Sequence, residues 1–172
     1  RFRVEHSQVV ALPDFKLFVD NSIVASMQAT HATSDMLWAE KRLGPDRIAG
    51  AYSWQRYLKM GIPLANGSDF PVEDPNPLWG FYASFTRQDH TGFPAQGWQP
   101  DQKLSREQSL ESFTLTPAYA AFEEKQKGSI TVGKLADFLI LEQDIMKVAP
   151  KDVLTTKVSS TFVGGKQVYS KN

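Results

Sequence analysis

Short apolar runs, each closed by a cluster of polar residues, set the pattern of the first part of the chain. Residues 2–6 alternate as a short strand that ends on Glu5-His6, with Ser7-Gln8 following. Ile23-Val24-Ala25-Ser26-Met27 reads as a buried strand that runs into the polar stretch Gln28–Asp35. Ile62-Pro63-Leu64-Ala65-Asn66 is a third short strand, and it delivers Gly67-Ser68-Asp69-Phe70-Pro71. Between them lie helical patterns. Phe15, Phe18 and Val19 sit at helical spacing within 13–20; a second helix is predicted over 36–43, stopping at Gly44-Pro45; a third runs over about 52–60 and ends at Gly61. Strand and helix thus alternate with short links, which predicts a parallel α/β arrangement with right-handed crossovers. The C-terminal ends of parallel strands are where α/β folds place their chemistry. The three polar tips are therefore expected on one rim.

Residues 72–103 break this rhythm. Pro75, Pro77, Pro94 and Pro100 with Gly80, Gly92 and Gly97 predict a long loop of the kind that walls or lids a pocket. Ser105 and Gln108 have capping-box spacing, so a helix is predicted to about Leu115, followed by a short one from Ala118 to about Glu124. From Gly128 the period changes to two: Ile130, Val132, Ala136, Phe138, Ile140 and Leu141 read as strands broken at Gly133-Lys134. Residues 158–163 and 167–169 flank Gly164-Gly165 as a β-hairpin, so 125–172 reads as a small antiparallel appendage.

Composition narrows the function. The 172 residues carry 19 basic and 19 acidic side chains, and this zero net charge argues against a sequence-independent grip on nucleic acid or on an acidic membrane. No apolar run approaches the roughly 20 residues of a membrane helix. Cys is absent, which excludes disulfides, thiolate metal sites and thiol catalysis but leaves the compartment open. The chain has neither an initiator Met nor a signal-like start, so it is expected to begin inside an element, as a fragment does.

Few residues carry candidate chemistry. His6, at a strand end, suits a divalent-metal ligand or a carbonyl-polarising imidazole; a hydrogen-bonded core histidine is the plainer alternative. Asp69 suits a metal ligand, a general base or both, against a turn aspartate before Phe-Pro. The pair says more than either member, because the topology brings together what the sequence holds apart. His31, on the middle tip, is a substrate contact or a loop histidine. Arg87 is a grip for a carboxylate-bearing substrate or half of an internal ion pair, and His90 reads as solvated. Trp79, Phe81, Tyr82, Phe85, Phe93 and Trp98 line an apolar pocket or pack the loop onto its domain. Gly164-Gly165-Lys166 lacks phosphate-loop spacing and belongs to the hairpin.

Taken in order, several segments resemble one family. They are Arg3-Val4-Glu5-His6-Ser7-Gln8, Met27-Gln28-Ala29-Thr30-His31 with Ser34-Asp35, Arg42-Leu43-Gly44, and Leu64 to Val72 through Gly67-Ser68-Asp69-Phe70-Pro71. Thr116-Pro117-Ala118-Tyr119-Ala120, and Gly128-Ser129-Ile130 through Gly133-Lys134-Leu135-Ala136-Asp137-Phe138, complete the series. The chain is similar to amidohydrolase family 3 of the metal-dependent amidohydrolases, which includes N-substituted formamide deformylase-like enzymes. The resemblance implies an α/β chain: strands six to eight of a (β/α)8 barrel over 1–124, with the long loop 72–103, and part of a small β-sandwich over 125–172. It implies His6 and Asp69 as metal ligands, Asp69 also as the proton acceptor, and His31 as a pocket residue, although Gln-Ala-Thr-His departs from the usual Gln-Pro-x-His. The strand-one His-x-His, the strand-four bridging ligand and the strand-five His have no counterpart here. Two ligands fall short of the three that catalytic zinc usually keeps.

Two expectations follow. In the first, the chain is a fragment of a metal-dependent hydrolase of amide-type C–N bonds in small molecules, with a divalent metal, zinc first among the candidates, one or two ions in the longer protein. In the second, it is a catalytically inactive truncated chain that self-associates through open sheet edges into a homo-oligomer.

Overall fold

A computed structural model describes residues 1–171. Strands β1 (Arg3–Glu5), β2 (Val24–Gln28) and β3 (Leu64–Gly67) form a parallel sheet in the order β1-β2-β3, with Arg3 opposite Val24 and Ala25 opposite Leu64. Parallel neighbours need crossovers, and helices supply them. Helix α1 (Phe15–Asp20) joins β1 to β2; α2 (Ala29–Asp35), α3 (Ala39–Ile48) and α4 (Trp54–Lys59) join β2 to β3. Central β2 is buried almost throughout, as its apolar run anticipates, whereas β1 is an exposed edge. Phe15 and Phe18 of α1 pack on Tyr57 of α4, and Met27, Ile62, Leu64 and Trp54 complete the same core.

Three local expectations change. Gln28–Asp35 is not a polar loop: α2 begins directly after β2, so His31 lies on a helix. The helix expected over 36–43 begins later, at Ala39, and breaks at Gly44 (φ 75°, ψ 173°) where the stop was expected; a second helical segment opened by Pro45 carries α3 (Ala39–Ile48) on to Ile48. Residues 72–103 contain a full helix, α5 (Pro77–Thr86), capped by Asn76, whose side chain accepts from the Leu78 amide at 3.0 Å.

Helix α6 (Arg106–Phe113) has the anticipated capping box, and α7 (Leu115–Ala120) starts and stops earlier than the pattern suggests. A second, antiparallel sheet follows: β4 (Phe138–Leu141), β5 (Val158–Val163) and β6 (Lys166–Ser170) in that order, with helix α8 (Pro150–Val153) between the first two. Gly164-Gly165 closes the expected hairpin, but residues 130–136 form no strand. Phe81 and Tyr82 of α5 pack with Val153 and, at their margin, Leu141, Ile145 and Phe113, so this sheet's flank shares a core with α5. Among the described residues, no helix is long and apolar enough to cross a membrane.

Candidate metal centre

The three polar tips meet. His6 follows β1, His31 lies in the first turn of α2 just past β2, and Asp69 follows β3, so neighbouring parallel strands put all three at one end of the sheet. One ligand atom from each lies within 4.8 Å of the others. Asp69 Oδ2 stands 3.9 Å from His6 Nδ1 and 3.8 Å from His31 Nε2. Those gaps exceed a direct hydrogen bond. They approach the ~3.3 Å between two ligands of one tetrahedral zinc with bonds of 2.0–2.1 Å.

Two further observations show that the arrangement is specific. His6, Ser7 and Asp69 all have positive φ (67°, 41° and 57°), a conformation that costs energy in non-glycine residues and that concentrates at functional sites. His31 is buried and its Nε2 has no hydrogen-bond partner, nor has the neighbouring Thr30 hydroxyl. Buried polar atoms are normally paired, so an orphaned imidazole nitrogen facing a carboxylate calls for a partner. An imidazole and a carboxylate at this spacing fit a borderline divalent metal such as zinc, with the second imidazole standing beside them.

His31 is held at the nitrogen away from Asp69, and His6 at the same nitrogen that faces Asp69. His6 Nδ1 lies 2.9 Å from Gln28 Oε1, and His31 Nδ1 lies 2.9 Å from Gln8 Nε2. Gln8 and Gln28 were not among the candidates read from the sequence; the available signal was an amide residue close to each tip histidine. Glu5 turns away from the group: the Ser26 hydroxyl, with Arg3, holds its carboxyl below the usual range. Asp35 is occupied by the Tyr52 hydroxyl, whose pKa burial and this bond push well up.

Beside the centre lies a cavity of about 620 Å³ walled by Thr30, Leu37, Phe70, Glu73, Trp79 and His90 among others. Trp79 and His90 meet edge to face, with ring centroids 4.3 Å apart. His90 is exposed as expected, and Trp79 lines the cavity; Phe81 and Tyr82 are buried packing residues on α5, and Phe93 is exposed.

Arg87 is corrected outright. It is fully buried, with Nε donating to the Trp98 carbonyl (2.8 Å), Nη1 to the Tyr52 carbonyl (3.0 Å) and Nη2 to Gln99 Oε1 (3.0 Å). Its guanidinium carbon lies 4.1 Å from the centroid of the Trp54 ring. Burial pulls its pKa down to about 9. The side chain is neither a substrate grip nor half of an ion pair; it ties the segment after α5 to the core.

Comparison with known proteins shows the family of the chain. The model of a family described as "Amidohydrolase family" matches residues 1–169. The chain is 38% identical over 174 residues to Protein LONG AFTER FAR-RED 3 of Arabidopsis thaliana, covering 98% of this chain and 29% of that protein. It is 27% identical over 114 residues to N-substituted formamide deformylase of Arthrobacter pascens, covering 66% and 20%. The crystal structure of an uncharacterized metal-dependent hydrolase from Pyrococcus horikoshii superposes with a TM-score of 0.76 at 24% identity, covering 86% of this chain and 30% of that one. The chain thus spans under a third of the length of these proteins.

Proposed function

The chain belongs to the amidohydrolase family, and from that membership and its rim of two histidines and an aspartate we propose that it forms part of a metal-dependent hydrolase of amide-type C–N bonds in small molecules. The convergence of His6, His31 and Asp69 carries the reading. His6 and Asp69 hold a divalent metal, zinc by the fit of the donors, whose chemistry is to acidify water and polarise a carbonyl. Asp69 accepts the proton of the attacking water and returns it to the leaving nitrogen. His31 contacts the substrate, and the adjoining cavity receives the substrate's apolar body against Trp79 and Phe70. The name of the Arthrobacter relative, a deformylase of N-substituted formamides, supports the C–N bond as the target.

In this reading residues 1–124 are strands six to eight of a (β/α)8 barrel and residues 125–172 belong to a small β-sandwich. The parallel order β1-β2-β3 supports the first assignment and the antiparallel sheet β4-β5-β6 the second. The remaining ligands then come from the rest of the longer protein. A second reading for the isolated chain, an inactive self-associating species, is favoured by the open edges of β1 and β3.

Zinc calorimetry on the folded chain tests the metal centre. Binding that weakens at least tenfold in both His6→Ala and Asp69→Ala is expected. Equal affinity in the variants and the unmodified chain overturns the assignment, and no binding in any of them returns the metal to the remaining ligands of the longer protein.

A further inference from the structure

We propose that Gln8 is a positioning residue that fixes the hydrogen of His31 on Nε2, so that His31 faces the reaction centre as a hydrogen-bond donor to a substrate oxygen and not as a metal ligand. The inference rests on the function proposed above and assigns His31 a chemical role within it. The two glutamines are crossed. Gln8, beyond the tip of β1, meets the histidine that follows β2; Gln28, the last residue of β2, meets the histidine that follows β1. They also present opposite ends of their amides. Gln28 offers its carbonyl oxygen to His6 Nδ1, the nitrogen that also stands 3.9 Å from Asp69 Oδ2, so His6 meets the accepting end of an amide. Gln8 offers its NH2 group to His31 Nδ1, which therefore accepts and leaves the hydrogen on Nε2.

A ring nitrogen that carries hydrogen cannot ligate a cation, and one with a lone pair cannot donate. Two imidazoles 5.9 Å apart, at 30° to one another, thus meet opposite ends of an amide, and the one that meets the NH2 group keeps its hydrogen on Nε2. His31 Nε2 is buried, lacks a hydrogen-bond partner and stands 3.8 Å from Asp69 Oδ2. Its free donor is placed for the oxygen of a carbonyl group held beside the Asp69 carboxylate. Thr30, whose hydroxyl is also buried and unpaired, lines the adjoining cavity. The substrate class this selects carries an sp² oxygen on the carbon of the bond to be broken, and an analogue without that oxygen leaves a buried donor unsatisfied.

The ring states are readable without turnover. Long-range 1H–15N correlation on the histidine-labelled chain at about pH 8.5, where an ordinary imidazole is neutral, distinguishes the two tautomers, and His90→Gln and His6→Asn assign the signals. The expected result is His31 with its hydrogen on Nε2 in about fivefold excess or more, the bias that one ordinary hydrogen bond imposes. Gln8→Glu, nearly isosteric and at this pH only an acceptor, should put a hydrogen on Nδ1, as the other tautomer or as imidazolium. Native His31 with its hydrogen on Nδ1, or a Gln8→Glu spectrum unchanged at His31, overturns the proposal. Zinc added to the same samples separates the two ideas. Loss of zinc response at His6 with the His31 tautomer intact defeats the metal-hydrolase reading alone, and the reverse pattern defeats only the role of Gln8.

Discussion

At Arg87 three acceptors and one aromatic face depend on a single side chain. Truncation leaves the Trp98 and Tyr52 carbonyls without their donor while removing the cost of a buried charge, and the unpaired acceptors outweigh that relief. Arg87→Met is expected to lower stability by about 2–4 kcal/mol, and Arg87→Lys to restore little of it, since one ammonium cannot reproduce the planar fork. Urea midpoints check this; an unchanged midpoint would mean that the Trp98 and Tyr52 carbonyls do not depend on Arg87 for stability. His6 and Asp69 were legible because each stands where an apolar strand run gives way to polar residues. Arg87 misled because an arginine in a segment of prolines and glycines reads as solvent-facing, and only the fold shows Trp54 beneath it. The crossed glutamines were not legible at all, since each pairs with a histidine 22 or 23 positions away on another strand tip.

Helix α5 is the element that sequence patterning missed. Pro77 looks like a breaker but occupies the first turn, where its missing N–H costs nothing. Gly80 looks like a loop residue but is demanded by Phe113, whose ring would come within 2.7 Å of a Cβ there. With those two positions explained, the helix depends on its cap. Asn76→Ala should cost about 1 kcal/mol by removing the acceptor for the Leu78 amide, visible as a lower thermal midpoint. A midpoint within error of the unmodified chain would mean that packing on the Tyr82 and Phe113 side alone sets the helix. The opposite error occurred at 130–136. Alternation there suggested a strand, yet the chain turns at Gly133 (φ 91°) and Ile130 and Val132 are almost wholly exposed. Alternation marks a strand only where a neighbouring strand and a core stand ready to receive it.

On the scale of the whole molecule, the parallel sheet ends at β1 and β3 without a further neighbour, and Phe2 and Val4 lie exposed at the β1 edge. Such an edge pairs with whatever strand is offered. Sedimentation of the isolated chain is expected to show dimers or larger species that grow with concentration, and a monomer at high concentration would remove the second reading. The α/β character was legible because alternation of strands and helices is a property of the whole pattern, and so was the antiparallel hairpin at Gly164-Gly165; the packing beside the second sheet was not, because it is made with a helix read as loop. That shared core has a consequence in time. Because Phe81 and Tyr82 belong to the helix that also carries Trp79, and pack with Val153 and Ile145 near the antiparallel sheet, the wall of the cavity and residues 145–153 share one core. Local unfolding at 145–153 is therefore expected to loosen the cavity wall with it.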